Sequence, residues 1–179
     1  WHMYFGAWGR TRDDGRLPNT TGLAVSDDAG LTWRYHAEEP VLPLDCPWDR
    51  TGTGSVCVLK TGSMLRMYYT AIGEYFRAPA GVQTGHGDTI PRIGIGYAVS
   101  ADGIHWEKSR DGLLVEPRGH GVGAADAENR ESRGAFGSEP VEDHPYEYIN
   151  SKPFVLEEEK GFRMWISTFG HAYRVRSLV

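Results

Sequence analysis

The chain carries the stretch Gly22-Leu-Ala-Val-Ser-Asp-Asp-Ala-Gly-Leu-Thr-Trp33 and repeats it 74 positions later as Gly96-Tyr-Ala-Val-Ser-Ala-Asp-Gly-Ile-His-Trp106. In both copies a short apolar run leads into an Asp/Gly segment, which is typical of a tight turn, and a tryptophan follows. The pattern predicts two antiparallel strands joined by that turn. Because a repeat of this kind implies a repeat architecture, it decides the fold class.

A second repeat lies in front of the first. Ser55-Val-Cys-Val-Leu59 is followed by Arg66-Met-Tyr-Tyr-Thr-Ala71, and the same pair returns 97 residues later as Lys152-Pro-Phe-Val-Leu156 and Arg163-Met-Trp-Ile-Ser-Thr168. Each unit therefore reads as four short strands, a to d, which is the pattern of a β-propeller blade. Two partial copies stand at the ends of the chain: His2-Met-Tyr-Phe-Gly-Ala7 and Tyr173-Arg-Val-Arg-Ser-Leu-Val179.

We therefore expect an all-β protein built from four-stranded antiparallel blades, with about two blades' worth of strands in one partial propeller domain over 1–179. An open stack of blades leaves unpaired strand edges, so we expect self-association, or further blades supplied by the rest of a longer chain. The predicted parts are an incomplete blade over 1–36, a complete blade over 48–110, an insertion over 118–148 and an incomplete blade over 150–179.

The composition excludes several classes of protein. Hydrophobic residues make up 40% and charged residues 24%, which is typical of a folded globular chain. The net charge of −5 disfavours a nucleic-acid partner held by phosphate contacts, and no apolar run is long enough to span a membrane. Cys46 and Cys57 make neither a disulfide scaffold nor a zinc site. No signal peptide is visible at the first residues, and the sequence leaves the compartment open.

The repeated turn also resembles motifs of known families. The segment from Ser26 to Trp33 is similar to the Asp-box, Ser-x-Asp-x-Gly-x-Thr-Trp, of sialidases and related propellers. The shorter copy ending at Trp106, preceded by Ile-Gly-x-Gly-Tyr-Ala and Met-Tyr-Tyr-Thr, resembles the five-bladed glycosidase propellers, which include the arabinanase/xylosidase, invertase/levanase and mannoside phosphorylase groups. The resemblance implies a five-bladed ring and a carbohydrate-active protein. We expect the motif itself to hold turns and pack blades, through Asp28, Trp33, Asp102 and Trp106.

In such propellers the short a–b and c–d turns lie on one face and the d–a and b–c connections on the other, where the substrate funnel opens. Long irregular connections tend to carry function. The sequence therefore predicts a binding face built from five connections: 9–21, 37–54, 72–91, 118–149 and 169–173.

Glycoside hydrolysis generally needs two carboxylates that flank the sugar bond. Asp49 and Glu147 precede strand a of successive blades and lie within one residue of equivalent depth. We predict Glu147 as the proton donor, with Asp49 as a base or as a neighbour that tunes its pKa. Two simpler interpretations remain open: Asp49 also suits a turn beside Gly52 and Gly54, and Glu147 is one of several acids in the insertion.

The predicted face carries further candidate ligands for a sugar. An aromatic ring suits the C–H face of a pyranose, and an arginine suits an acidic sugar. Such residues also serve as packing, ion-pair or plain surface groups, so each has a structural alternative. No cofactor is indicated: Asp88 with His86 offers too few metal ligands, and no motif points to a structural calcium ion. The predicted substrate-binding residues are Trp48, Arg50, His86, Asp88, Tyr146 and His171.

The chain also departs from the families it resembles. Arabinanase-like enzymes carry an acid Glu, a small residue and Pro at the start of a later blade, whereas Ser151-Lys-Pro153 stands here. The invertase-type Arg-Asp-Pro and Glu-Cys motifs and the sialidase Phe/Tyr-Arg-Ile-Pro segment are absent from the sequence. The sequence thus predicts a glycosidase-like protein first. A non-catalytic propeller that binds glycan or protein on the same face is the alternative, and a sialidase-like protein is third.

Overall fold

The computed structural model describes residues 1–8, 18–77, 89–117 and 147–170, which form one nine-stranded sheet and contain no helix. The described residues accordingly provide no helix that is long and apolar enough to cross a bilayer. The all-β prediction is confirmed. The strands are β1 His2–Trp8, β2 Asn19–Val25, β3 Arg34–Tyr35, β4 Gly52–Thr61, β5 Met64–Arg77, β6 Thr89–Ser100, β7 Glu107–Lys108, β8 Glu147–Glu158 and β9 Gly161–Gly170.

The strands form three consecutive antiparallel units, which we call blades 1, 2 and 3. Blade 1 consists of β1, β2 and β3, blade 2 of β4 to β7, and blade 3 of β8 and β9. Successive blades touch through parallel bridges, at Asn19 with Gly52 and at Ile93 with Ile149. The sheet does not close on itself, so the described residues form part of a propeller, as predicted.

The 97-residue repeat extends to the details of the backbone. The ladder between β4 and β5 shifts register at Gly54/Val56, and the ladder between β8 and β9 shifts at the equivalent place. The residues at the two shifts, Ser55 and Lys152, both have left-handed backbones, with φ of 39° and 54°. A non-glycine residue in the left-handed region costs roughly 1–2 kcal/mol. Because the same β-bulge occurs in both copies in spite of this cost, it is a regular feature of strand a.

The c–d turns are held by the acids of the repeated stretch. The Asp28 carboxylate accepts hydrogen bonds from the backbone N–H and the hydroxyl of Thr32, at 2.9 and 2.6 Å. The Asp102 carboxylate accepts the backbone N–H groups of Ile104 and His105, at 2.8 and 2.9 Å. Each following tryptophan donates its indole N–H to a glycine carbonyl of its own turn. The predicted turn-holding role of these acids is confirmed.

Two hydrophobic clusters lie between the blades. Blade 1 packs on blade 2 through Leu42, Met67, Tyr69, Ala71 and Ala98, all buried. Blade 2 packs on blade 3 through Tyr68, Ile95 and Val155. Neighbouring residues of β5 therefore serve opposite interfaces, because successive side chains of a strand point to opposite faces.

Some predicted boundaries differ from the structure. Strand d is short in both blades: β3 and β7 have two residues each, and β3 ends before the predicted end at residue 36. The predicted connection over 72–91 is strand at both ends, because the β5–β6 ladder resumes after a register shift and pairs Arg77 with Thr89. β8 begins at Glu147, so the last two residues of the predicted insertion over 118–148 belong to blade 3, and the rest of the insertion lies outside the described residues. Such ladder extensions depend on partner strands, which a local pattern does not report.

Candidate functional site

The starts of strand a in two blades meet at one edge of the sheet, which we call the funnel edge. β4 begins there at Gly52, which pairs with Ile72 of β5, and β8 begins at Glu147, which pairs with Gly170 of β9. The predicted acid Glu147 is thus the first residue of β8. Four other predicted site residues lie outside the described residues: His86, Asp88, Tyr146 and His171.

Asp49 lies below this edge, in the interface between blades 1 and 2, with none of its surface exposed. Its Oδ1 atom accepts the backbone N–H of Cys46 at 3.1 Å. Its Oδ2 atom accepts the Tyr69 hydroxyl at 2.9 Å and lies 2.7 Å from the Lys108 ammonium. A fully buried carboxylate needs such partners, because it has lost its water.

The chain places these partners by close packing. Tyr69 lies opposite Gly96 in the β5–β6 ladder, and a Cβ atom at Gly96 would lie 2.2 Å from the Tyr69 ring. Because Gly96 has no side chain, the Tyr69 ring fits against it and its hydroxyl reaches Asp49. Burial raises the pKa of the Tyr69 hydroxyl well above its usual value, and the Asp49 charge raises it further, so Tyr69 is a stable donor.

The contacts of Asp49 are those of a carboxylate that holds the connection over 36–51 against blade 2. Its own backbone closes the turn, because its N–H donates to Cys46 and its carbonyl accepts the N–H of Gly52. The catalytic role of Asp49 stays a prediction. The structure gives it a structural role and exposes none of its surface to a substrate.

The two residues beside Asp49 are also engaged. Trp48 packs against the cluster between blades 1 and 2, and its indole N–H donates to the Tyr69 hydroxyl at 3.4 Å. Arg50 forms an ion pair with Glu74 near the funnel edge. Their predicted roles in sugar binding remain predictions, and both side chains already make structural contacts.

Among the described residues, one group offers three metal-ligand atoms within 4.8 Å of one another: Asp45, Cys46 and Asp49. The Lys108 ammonium lies 2.8 Å from Asp45 and 2.7 Å from Asp49, and it also donates to the carbonyl of Pro43. Burial raises the pKa of the Cys46 thiol to about 11, which disfavours the thiolate that a metal requires. The Lys108 ammonium, rather than a metal ion, therefore supplies the positive charge beside Asp45 and Asp49.

The structure brings together a second set of polar residues that the sequence interpretation missed. They lie between blades 2 and 3 near the funnel edge, and we call Arg92, Glu116, Asn150 and Thr168 the blade 2–3 polar cluster. Arg92 donates to the carbonyl of Pro117 at 3.3 Å, and the Asn150 amide donates to the carbonyl of Glu116 at 3.2 Å. The Thr168 hydroxyl donates to the Asn150 carbonyl oxygen at 2.9 Å.

Glu116 is the acid of this cluster and is half-buried. Burial raises the pKa of its carboxyl above the usual value, while the positive charge of Arg92 acts in the opposite direction. A sequence signal for it exists: Val41-Leu-Pro43 returns as Val115-Glu-Pro117 at the same 74-residue spacing. The second copy of the repeat has an acid, Glu116, where the first copy has the core residue Leu42.

Comparisons with known proteins give the fold more support than the function. No family model matches the chain. Two curated relatives from Mycobacterium tuberculosis, "Uncharacterized protein Rv1502" (strain H37Rv) and "Uncharacterized protein MT1551" (strain CDC 1551), are each 28% identical over 160 residues. Those matches cover 88% of this chain and 40% of each relative, so the chain spans about two fifths of their length.

Solved structures show the same relationship of a part to a larger protein. A structure described as "Glycoside hydrolase" and a structure of a BT0996 RGII complex each match with a TM-score of 0.60 and 16% identity. Each match covers 98% of this chain and 39% of the other. At this identity the likeness concerns the fold: the chain has an all-β, glycoside hydrolase-like fold.

Proposed function

We propose that this chain forms part of a glycosidase whose substrate lies across the funnel edge. The observation that carries the proposal is the match to a glycoside hydrolase structure over 98% of the chain. The strand polarity supports it as well, because β4 and β8 both begin at the edge where propeller glycosidases are expected to bind sugars.

The proposed chemistry is hydrolysis of a glycosidic bond by a pair of carboxylates. Glu147 is one of the pair in this proposal, because its backbone lies at the funnel edge at the start of β8. Asp49 is the other predicted carboxylate, and its enclosure by Tyr69 and Lys108 favours a structural role for it. A separation of about 5 Å between the two working carboxylates would indicate retention, and roughly 6.5–9.5 Å inversion.

The first experiment is a turnover screen on aryl glycosides and on RGII, the component that accompanies BT0996 in one of the similar structures. Wild type is compared with Glu147→Gln and Asp49→Asn, and urea unfolding is recorded for all three. Glu147→Gln is expected to lower turnover by roughly 10²–10⁴-fold with an unchanged unfolding midpoint. Turnover by Glu147→Gln equal to wild type would remove Glu147 from the proposal.

The Asp49→Asn variant separates its two interpretations. A lowered unfolding midpoint with turnover preserved below that midpoint would show a structural residue. Lost turnover with an unchanged midpoint would show a catalytic one. The first outcome is expected, because three groups of the protein already bind the Asp49 carboxylate.

The burial of Asp49 favours one second function, a propeller that binds glycan on the same edge without cleaving it. If this alternative holds, calorimetry should show saturable binding of a glycan that the wild-type protein does not cleave. Measured turnover of that same glycan would exclude this alternative.

A further inference from the structure

The two d–a connections are equivalent parts of the repeat. In blade 1 the backbone N–H of Val41 donates to the carbonyl of Thr21, and in blade 2 Val115 donates to Ile95 in the same way. The second bonded pair lies 74 positions after the first, which is also the spacing between Gly22 and Gly96. Leu42 and Glu116 therefore occupy equivalent places, each directly after the bridged valine.

The two places differ in what surrounds them. Leu42 is fully buried between blades 1 and 2, where it packs with Met67, Tyr69 and Ala71. Three other positions around Glu116 also differ between the two copies of the repeat. At each of them the first copy has an apolar or smaller residue and the second copy has a more polar one. The changes from the first to the second copy are Pro18 to Arg92, Leu42 to Glu116, Thr53 to Asn150 and Ala71 to Thr168.

This coordinated change is costly for packing. A carboxyl and a guanidinium at a blade interface lose water, and an apolar interface of the same shape is often more stable than a paired charge. The first copy of the repeat shows that this fold accepts a buried leucine at the position of Glu116. Departures from local consistency of this kind concentrate at functional sites, and the half-buried Glu116 lies at the end of the interface nearest the start of β8.

We propose that Glu116 is the proton donor of the glycosidase site, an inference that rests on the function proposed above. Its backbone is fixed by the Asn150 amide, and the adjoining Pro117 carbonyl is fixed by Arg92. These contacts hold the backbone of Glu116 against Asn150, three residues after Glu147 at the start of β8. Burial raises the pKa of the Glu116 carboxyl, which favours the protonated form that a proton donor needs, while the Arg92 charge acts in the opposite direction.

In the proposed step, the Glu116 carboxyl transfers its proton to the glycosidic oxygen while the bond from that oxygen to the anomeric carbon breaks. The oxygen keeps the bonding electron pair and leaves as an alcohol. Glu147, predicted from the sequence as the proton donor, serves in this proposal as the base instead. A water molecule adds its oxygen to the anomeric carbon and gives a proton to the Glu147 carboxylate. Proton exchange with solvent then returns both carboxyl groups to their starting states.

The test uses two aryl glycosides of a sugar that wild type cleaves, one with a phenyl and one with a dinitrophenyl leaving group. Glu116→Gln is expected to lower kcat/KM for the phenyl glycoside by roughly 10²–10⁴-fold. The loss on the dinitrophenyl glycoside should be far smaller, because that leaving group departs without a proton. Equal losses on the two substrates would overturn the donor role, since a structural defect does not depend on the leaving group.

Glu116→Leu is the second variant, because it restores the Val-Leu-Pro of blade 1 and so is expected to fold. It should unfold at a urea midpoint equal to or above that of wild type and show the same leaving-group dependence. A clearly lower midpoint, or full turnover of the phenyl glycoside, would overturn the proposal. Glu107→Gln, an exposed acid on β7, is the matched control and should leave kcat/KM unchanged.

The outcomes separate the two proposals. Wild type that cleaves no glycoside in the screen overturns the proposed function and the role of Glu116 together. Wild type that cleaves glycosides, with a Glu116→Gln profile equal to its own, overturns the assignment of Glu116 and leaves the proposed function standing.

Discussion

Lys108 holds two carboxylates that differ greatly in their exposure to solvent. The Asp49 side chain is completely buried, whereas the Asp45 side chain is 60% exposed, and both lie within 2.8 Å of the same ammonium. A charge pair in water contributes little, while removing one partner of a buried pair leaves a desolvated charge without compensation. The two contacts should therefore differ several-fold in their effect on stability.

Lys108→Met is expected to lower the free energy of unfolding by about 3–5 kcal/mol. Asp45→Asn should lower it by less than about 1 kcal/mol, because that side chain remains hydrated. Urea unfolding of both variants measures the difference. The double variant Asp49→Asn/Lys108→Met should lose clearly less than the sum of its single changes. Strict additivity would show that the lysine and Asp49 are not coupled.

At the scale of the element, the c–d turns depend on ionised aspartates. Hydrogen bonds from the Thr32 hydroxyl and backbone lower the pKa of the Asp28 carboxyl from 3.8 to about 2. The His105 side chain and backbone likewise lower the pKa of Asp102. A carboxyl whose pKa is depressed on folding adds stability that is present above its unfolded pKa, near 4, and is lost as the pH falls through the folded value.

The thermal unfolding midpoints of wild type and Asp28→Asn, recorded between pH 6 and pH 2, test this contribution. The advantage of wild type should be full above about pH 4 and should shrink toward pH 2, where its carboxyl begins to take up a proton. Asp27→Asn changes an adjacent exposed acid and serves as the control. A wild-type advantage that stays constant down to pH 2 would contradict the assignment.

These turns also show what a sequence can predict. The partners of Asp28 and Asp102 lie within four residues along the chain, so the local pattern contains the whole interaction. Asp49 is different, because Tyr69 and Lys108 lie 20 and 59 positions further along the sequence and meet it through the β5–β6 and β6–β7 pairing. Its depth relative to Glu147 is predictable from the repeat, but its burial depends on the packing of two blades.

At the scale of the whole molecule, the repeats carry most of the information about the fold and part of the information about the site. Strand order and the equivalence of β4–β5 with β8–β9 follow from spacing alone. The polar cluster around Glu116 becomes visible in sequence when the two copies are compared for their differences. Its location between blades needs the structure, because pairing beyond the motif places Arg92 beside Pro117.

Blade 3 exposes a face whose counterpart in blade 2 is covered. Phe154, Leu156 and Trp165 are 55%, 43% and 38% exposed and lie on the side of β8–β9 that points away from blade 2. Contiguous exposed apolar residues of this kind mark interaction surfaces. Their counterparts 97 residues earlier pack in the interface with blade 3: Cys57, Leu59 and Tyr68.

The repeat matches this face to a blade-covered face, and a further blade of a longer chain would cover it. We propose that in the isolated chain a second copy binds there instead. Size-exclusion chromatography with light scattering should then give a mass above the 19.9 kDa of one chain, rising with concentration. The double variant Phe154→Glu/Leu156→Lys should shift the mass toward that of one chain, because charges on the face would lose their water on association. Leu31→Lys, at an exposed leucine of the first c–d turn, should leave the mass unchanged. A wild-type protein that stays folded at the mass of one chain at every concentration tested would contradict the proposal.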